Sequence, residues 1–329
     1  MKKLLLKSLA FISLLIIAQT VVVYCLRLGF FGDYPLAVAD FKKGMKDFPE
    51  VVFFGDSVVF TVDPDEPDRR TVSQLLQEKM PGTKILSVAH SAYNQGVYID
   101  YLKYMIAHGV KPEKVVIEIN LRSFSPISDR RPQYQFEKEK IFLANDLNPV
   151  FPLIYKPLLV LKYFNLQTIS EVTFKQTPLY DGEKHIGTVA DCYAYDEKLQ
   201  REQAIQKVFQ CLYLENISLR NRKLDDLINI AGLLRDHRIP VVFFITPIDY
   251  ASGQKYFGDR FLWQINKNVS FVKSSLENQG VVFADFSASL PSSHFLWLNE
   301  GLPDEHLDSF GRESVADGIS KMISDEKGF

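Results

Sequence analysis

The chain has 329 residues, of which 47% are hydrophobic and 24% are charged, and these proportions are typical of a globular protein with a large core. The formal net charge is -2, and residues 1–30 contribute four cationic and no anionic side chains, which leaves -6 on the remainder. A mildly acidic body disfavours nucleic acid as a partner. The sequence contains no nucleotide-binding glycine loop and no metal-ligand spacing, so we predict neither a cofactor nor a metal site.

The N-terminal segment is basic and then strongly apolar. Lys2, Lys3 and Lys7 precede residues 8–26, which carry no charge and approach the ~20 residues that a helix needs to span a bilayer. An uncleaved anchor and a cleaved signal peptide both fit this pattern. The residues after the apolar core, from Arg27 to Phe31, are poor cleavage residues and favour an anchor over residues 1–30. The lysines would stay in the cytoplasm and the body outside, whereas signal cleavage would make the protein secreted.

After a linker at 31–50, apolar runs alternate with amphipathic segments along the body. A buried strand is predicted at 51–54, a helix at 71–79, a second strand at 84–88 and a helix at 96–108. A third strand follows at 115–119. The pattern resumes with a helix at 221–237, a strand at 241–247, a helix at 261–278, a strand at 281–285 and a final helix at 310–323. Alternation of this kind predicts an α/β fold, a three-layer α/β/α sandwich around a mostly parallel five-stranded sheet of flavodoxin-like type.

Between about 124 and 216 the alternation breaks, and clustered prolines and aromatic residues indicate a cap insertion within a domain at 51–329. This insertion contains Cys192 and Cys211, the two cysteines that lie outside the apolar N-terminal segment. In an extracytoplasmic protein these cysteines form either a disulfide or two reduced, buried thiols, and both alternatives stay open.

Two short motifs near the ends of the body carry candidate chemistry. Gly55-Asp56-Ser57 follows the first strand, so Ser57 is placed at the carboxyl edge of the sheet and is a candidate nucleophile. His306 lies on a loop before the last helix and is a candidate general base, with Asp304 two residues away to orient its ring. Asp308 is the weaker candidate for that carboxylate. The alternative to each functional interpretation is an ordinary turn or surface loop.

Together these motifs resemble the SGNH (GDSL-type) hydrolase family. Gly55-Asp56-Ser57 matches the first block of that family, and Asp304-x-His306-Leu307 with Gly311 matches the last block. The Asp-x-His spacing and the anchor are similar to membrane-anchored envelope members, namely alginate O-acetyltransferases and DltD-like proteins. The resemblance covers about 51–123 and 217–324, and it implies a Ser57–His306–Asp304 triad.

The middle blocks depart from the family pattern. Ala89 stands where the second block has a glycine whose amide enters the oxyanion hole, and a backbone N–H survives this exchange. Arg122 stands at the position of the third-block asparagine, and Asn120 is the alternative donor. The resemblance therefore implies an oxyanion site from Ser57, Ala89 and either Arg122 or Asn120, in a divergent subgroup.

The expected function is an extracytoplasmic serine esterase or O-acyltransferase acting on an acylated envelope glycan or lipid-linked sugar. The membrane is an expected partner through the N-terminal helix, and a multipass acyl-transfer protein is another. The alternative is a non-catalytic glycan-binding or assembly factor on the same scaffold, because a fold does not determine a function.

Overall fold

The computed structural model describes residues 2–27, 35–144, 158, 161, 171–182, 184–193, 201–277, 279–296 and 305–325. The strands are β1 (Val51–Gly55), β2 (Ile85–Ala89), β3 (Lys114–Ile119), β4 (Pro178–Tyr180), β5 (His185–Thr188), β6 (Val241–Ile245) and β7 (Val282–Asp285). Five of them form one parallel sheet in the order β2-β1-β3-β6-β7. The predicted flavodoxin-like sheet is thereby confirmed, with β1 next to the point at which the strand order reverses.

The helices occupy both faces of this sheet. They are α1 (Lys2–Arg27), α2 (Leu36–Gly44), α3 (Ser57–Phe60), α4 (Val72–Lys79), α5 (Gln95–Ala107), α6 (Pro126–Asp129), α7 (Glu137–Leu143), α8 (Val189–Tyr193), α9 (Arg201–Tyr213), α10 (Arg222–Asp236), α11 (Tyr250–Phe257), α12 (Asp259–Glu277) and α13 (Ser309–Asp325). Short 3-10 turns cover Met45–Asp47, Leu121–Phe124, Pro132–Gln135 and Ser292–His294.

The hydrophobic core divides at the sheet because successive side chains of a strand point to opposite faces. On one face Val52 and Phe54 of β1 pack with residues of α5, α10 and α12. On the other face Val51 and Phe53 pack with residues of α4 and α13. Every residue of β1 is buried, as expected for a strand covered on both sides. The result is the predicted three-layer sandwich.

Within the segment predicted as a linker, α2 packs on the core. Val38 and Phe41 are almost fully buried, and the Phe41 ring meets the Tyr101 ring edge-on with 4.8 Å between centroids. Lys42 and Lys43 in the same helix give the sequence its polar character. Two apolar residues on one helical face are enough to dock a short helix, and so small a number gives little periodicity in the sequence.

In the region predicted as an insertion, β4 and β5 form an antiparallel pair. Cys192 of α8 and Cys211 of α9 form a disulfide with their Cα atoms 6.5 Å apart, so the bonded alternative is the one that the structure supports. Both cysteines belong to a small apolar cluster of their own, which is separate from the two faces of the sheet.

Among the described residues, one helix is long and apolar enough to cross a membrane, and it lies at the N-terminus over Lys2–Val22. Its leucines are exposed, with Leu4 at 71% and Leu6 at 72% of their full accessibility. An apolar helix whose side chains are mostly exposed is the form expected of a membrane anchor or a signal sequence.

Candidate active site

The turn after β1 places Ser57 at the carboxyl edge of the sheet. Gly55 ends the strand, Asp56 caps the next helix, and Ser57 is the first residue of α3. The Asp56 carboxylate accepts a hydrogen bond from the Val58 amide at 2.7 Å, which fixes this turn. A Cβ atom at position 55 would lie 2.8 Å from Glu118 Oε2 and closer still to Val59, so only glycine fits there.

A buried carboxyl group lies directly beneath this turn. Glu118 of β3 is 1% exposed, and its Oε2 accepts a hydrogen bond from the backbone N–H of Asp56. Burial, followed by repulsion from the Asp56 carboxylate, holds the pKa of Glu118 well above its usual range. The protonated form of Glu118 is thus favoured in this site, and its Oε2 holds the Asp56 amide.

The turn after β3 is joined to the turn that carries Ser57. Asn120 is 6% exposed, and its Nδ2 donates to Asp56 Oδ2 at 2.8 Å. Its Oδ1 accepts from the backbone N–H of Arg122 at 3.0 Å. The Asn120 amide thus holds both Asp56 and the start of the next turn, which places Asn120 and Arg122 beside the Ser57 turn. Asn120 acts here first as a link between two strand ends.

Arg122 reaches the loop that carries His306. Its Nε lies 3.9 Å from Glu305 Oε2, and Glu305 Oε1 accepts from the backbone N–H of Asp249 at 2.7 Å. Glu305 is 1% exposed, and burial raises the pKa of its carboxyl group to about 7, against the opposing effect of Arg122. Its backbone has φ of 45°, in the left-handed region that non-glycine residues enter at a cost.

His306 follows Glu305 and is 7% exposed. Its backbone oxygen accepts from the Leu296 amide at 2.7 Å, and Leu307 pairs with Phe295 in an isolated antiparallel bridge. Leu307 is fully buried in the same cluster as Val58, which follows Ser57. The residues that flank Ser57 and His306 therefore share one apolar cluster. Asp304, the predicted orienting carboxylate, lies outside the described residues, so its role stays a prediction.

Arg312 braces the histidine loop from below. It is 0% exposed and donates to the backbone oxygens of Leu307, Arg70 and Asp68 at 2.7, 2.8 and 2.6 Å. Arg312 Nη1 also forms an ion pair with Glu66 Oε2 at 2.8 Å. The loop after α3 and the loop of His306 are thus tied to one guanidinium group of α13.

Asp308, the weaker candidate carboxylate, has other partners. Its Oδ1 accepts from the Gly311 amide at 2.7 Å, and its Oδ2 lies 2.8 Å from His294 Nδ1. These contacts cap the start of α13 and hold the His294 ring.

Ala89 ends β2 and is paired in register with Gly55, and the next residue, His90, donates its backbone N–H to Gly55 O at 3.2 Å. Ala89 is therefore held beside the strand end that precedes Ser57.

Sequence reasoning missed Glu118, Glu305 and Arg312. Glu118 left a signal, because a lone acid interrupts the apolar run of β3. Glu305 and Arg312 left none, since each occupies a polar loop or helix in which a charged residue is ordinary. Among the described residues no group of three or more His, Cys, Asp or Glu side chains is arranged to hold a metal ion.

No protein-family model matches the sequence, and no curated protein does. Solved structures with a similar chain trace include a lipase/acylhydrolase from Enterococcus faecalis, at a TM-score of 0.42 and 11% identity over 84% of this chain and 96% of that one. An acetylxylan esterase from Geobacillus stearothermophilus has a TM-score of 0.38 and 14% identity, over 85% of this chain and 94% of that one. A GDSL-like lipase from Bacteroides thetaiotaomicron has a TM-score of 0.38 and 8% identity, over 88% of this chain and 99% of that one. At these scores and identities the likeness does not assign this chain to a family.

Proposed function

We propose that this protein is a serine-dependent acyl-ester enzyme, an esterase or an O-acyltransferase, with Ser57 as nucleophile and His306 as general base. The observation that carries the proposal is the chain of contacts from Asp56 to Asn120 and from Arg122 to Glu305. The first of these residues precedes Ser57, and the last precedes His306. Covalent acyl transfer needs a nucleophile and a base within reach of each other, and the contacts between the residues next to Ser57 and His306 support that placement.

The reaction follows from these assignments. Ser57 Oγ attacks the ester carbonyl carbon while its proton passes to His306, and Asp304 orients the histidine ring. The negative oxygen of the tetrahedral intermediate is held by the N–H groups of Ser57 and Ala89, together with Arg122 or the second amide hydrogen of Asn120. His306 then returns the proton to the departing alcohol, which leaves the acyl group on Ser57. Water in hydrolysis, or a sugar hydroxyl in transfer, then attacks the acyl carbon and gives its proton to His306. The bond to Ser57 Oγ breaks, and His306 returns the proton to that oxygen.

The proposed substrate is an acylated glycan or lipid-linked sugar of the cell envelope. The exposed apolar helix α1 supports this, because a helix that anchors the chain would keep the active site close to membrane-bound and wall-bound sugars. The lysines at the start of α1 favour an orientation with the body outside the cytoplasm. A multipass acyl-transfer protein in the same membrane is the partner that would supply activated acyl groups.

A fluorescent alkyl phosphonate, which reacts covalently with activated serines, tests the nucleophile. The full chain should be labelled, and the Ser57→Ala variant should lose the label while keeping its circular dichroism spectrum and melting temperature. Ser91→Ala, which removes an exposed serine at the same edge of the sheet, is the matched control and should label normally. Folded wild-type protein that takes up no phosphonate would point instead to the non-catalytic glycan-binding or assembly factor.

The proposed topology has its own test. Protease added to intact spheroplasts should digest the body, while a tag fused ahead of Lys2 should survive until the membrane is opened. Protection of the body in intact spheroplasts would contradict an extracytoplasmic site without bearing on the chemistry of Ser57. Release of the whole body into the medium would indicate a cleaved signal peptide.

A further inference from the structure

The short helix α3 presents an aromatic ring beside the candidate nucleophile. Val58 and Val59 are each 1% exposed and face the core, whereas Phe60 is 40% exposed. Ser57 and Phe60 are three positions apart, so they lie on the same side of this helical turn. Part of the Phe60 ring is therefore exposed on the side of the turn that carries the candidate nucleophile.

A second ring lies against the first. The rings of Phe60 and His90 are nearly parallel, with 18° between their planes and 5.8 Å between their centroids. His90 is exposed and follows Ala89, and its backbone N–H donates to Gly55 O at 3.2 Å. The two rings therefore extend from the turns after β1 and β2, the same turns that supply Ser57 and Ala89. We call the pair of Phe60 and His90 the aromatic shelf.

Buried groups hold the shelf in place. The His90 ring lies 5.1 Å from the ring of Tyr93, which is 2% exposed, and Phe136 meets Tyr93 edge-on at 4.8 Å. The Tyr93 hydroxyl lies 2.9 Å from the Tyr101 hydroxyl in the core. Aromatic pairs in these geometries are mutually attractive. The shelf is thus prearranged, and little conformational entropy remains to be lost when a ligand binds.

We propose that the aromatic shelf binds the ring of the sugar that bears the acyl group, an inference that depends on the proposed acyl-ester function. A pyranose has flat faces of C–H bonds that lie well on an aromatic ring, while its hydroxyl groups remain in water. Polar residues close in sequence to Phe60 and His90 suit the hydroxyl groups of such a ligand. Ser91 is exposed, and Thr61 and Asp63 are half-buried. A long acyl chain would gain most from a closed apolar pocket, whereas two partly exposed rings suit the smaller face of a sugar ring.

The test compares two esters on the full chain in mild detergent. One is a partially O-acetylated oligosaccharide of four glucose units, and the other is glycerol triacetate, which has no ring. In Phe60→Ala, the ratio of kcat/KM for the oligosaccharide to kcat/KM for glycerol triacetate should fall about five- to tenfold, as expected for the loss of one aromatic contact. The change should lie mainly in KM, and Phe60→Trp should restore the ratio. Phe48→Ala is the matched control, because Phe48 is 72% exposed and precedes the opposite end of β1.

Binding separates the shelf from the chemistry. Titration of the oligosaccharide into Ser57→Ala protein should show binding that is weakened by adding Phe60→Ala, whether or not the wild type turns over. If binding is weakened in this way but the wild type takes up no phosphonate, the sugar-binding role of the shelf is supported and the proposed enzymatic function is contradicted. Equal losses for both esters in Phe60→Ala would overturn the shelf, since Phe60 would then only support Ser57. The shelf would also be overturned if Ser57→Ala protein did not bind the oligosaccharide while the wild type took up the phosphonate.

Discussion

Asn120 donates its side-chain N–H to the Asp56 carboxylate at 2.8 Å, and this bond joins the ends of β3 and β1. Asp56 is also the cap of α3 and the residue before Ser57. Movement of either turn would therefore break a buried polar contact, which costs about 1–3 kcal/mol for each group left without a partner. The geometry around Ser57 is held by the sheet and by side chains that need not touch a substrate.

The effect of replacing Glu118 should depend on whether the new side chain can accept the hydrogen bond from the Asp56 amide, and not on whether it can be charged. Glu118→Gln keeps an acceptor for the Asp56 amide and removes only the ionisable group, so its phosphonate labelling rate should stay within about threefold of the wild type, a difference under about 1 kcal/mol. Glu118→Ala leaves the Asp56 N–H without its acceptor. It should lower the labelling rate at least about tenfold and destabilise the fold by about 1–3 kcal/mol. Equal rates in the two variants would show that Glu118 only fills space.

Replacing Arg312 should loosen the histidine loop and the fold together. Arg312→Met removes donors to Leu307, Arg70 and Asp68 and takes the cationic partner away from Glu66 Oε2. Breaking a buried pair on one side typically costs about 3–5 kcal/mol, to be read from urea unfolding. Glu313→Gln, a neighbouring change on the exposed side of α13, should alter stability by under about 0.5 kcal/mol. A loss as small in Arg312→Met would contradict the bracing role.

Glu305 should make stability depend on pH around neutrality. Its pKa is about 7 in the folded chain and near 4.5 when unfolded, so the folded state holds more protons between these values. This contribution to stability is fully present below about pH 4.5 and is lost as the pH rises through about 7. From about pH 5.5 to about pH 8.5 the loss from this group amounts to about 2 kcal/mol.

Urea unfolding of the wild type and of Glu305→Gln at both pH values measures this effect. The glutamine variant should lack the drop that Glu305 causes. Glu215, whose pKa burial also raises to about 7, contributes in the same direction, so Glu215→Gln measures its separate share. A pH dependence that is identical in the wild type and Glu305→Gln would show that the Glu305 carboxyl is ionised or solvated throughout this range.

The disulfide between Cys192 and Cys211 can be tested by counting the thiols that react before and after reduction. Cys192 and Cys211 are bonded, and Cys25 in α1 is free. Protein made in an oxidising compartment and denatured without reductant should react with one equivalent of maleimide, and with three after reduction. Cys25→Ser should lower each value by one. Three equivalents before reduction would mean that the body has not met an oxidising compartment, which would also contradict the proposed location.

Local patterns in the sequence were enough to predict the class of the fold and the placement of Ser57. Apolar runs such as that of β1 and the amphipathic segments between them record periodicity, which depends only on neighbours in the chain. The predicted strands therefore match the observed ones to within a residue at each end, except that the strand predicted over 241–247 ends two residues earlier, at Ile245 of β6. The glycine at Gly55 is only partly a local demand, because a Cβ there would meet both the nearby Val59 and Glu118 of the neighbouring strand. The helix α2 was not predicted because only two of its residues are buried.

The meeting of distant side chains could be seen only in the folded chain. Asp56 and Asn120 are 64 positions apart, Glu305 pairs with Arg122 from the far end of the chain, and Arg312 gathers loops more than 240 positions away. Such contacts follow from the strand order β2-β1-β3-β6-β7, which brings the carboxyl ends of parallel strands to one edge of the sheet. A charged residue on a loop has the same local pattern whether it faces water or a buried arginine. Its partner exists only after the crossover connections have closed and water has left the space between them.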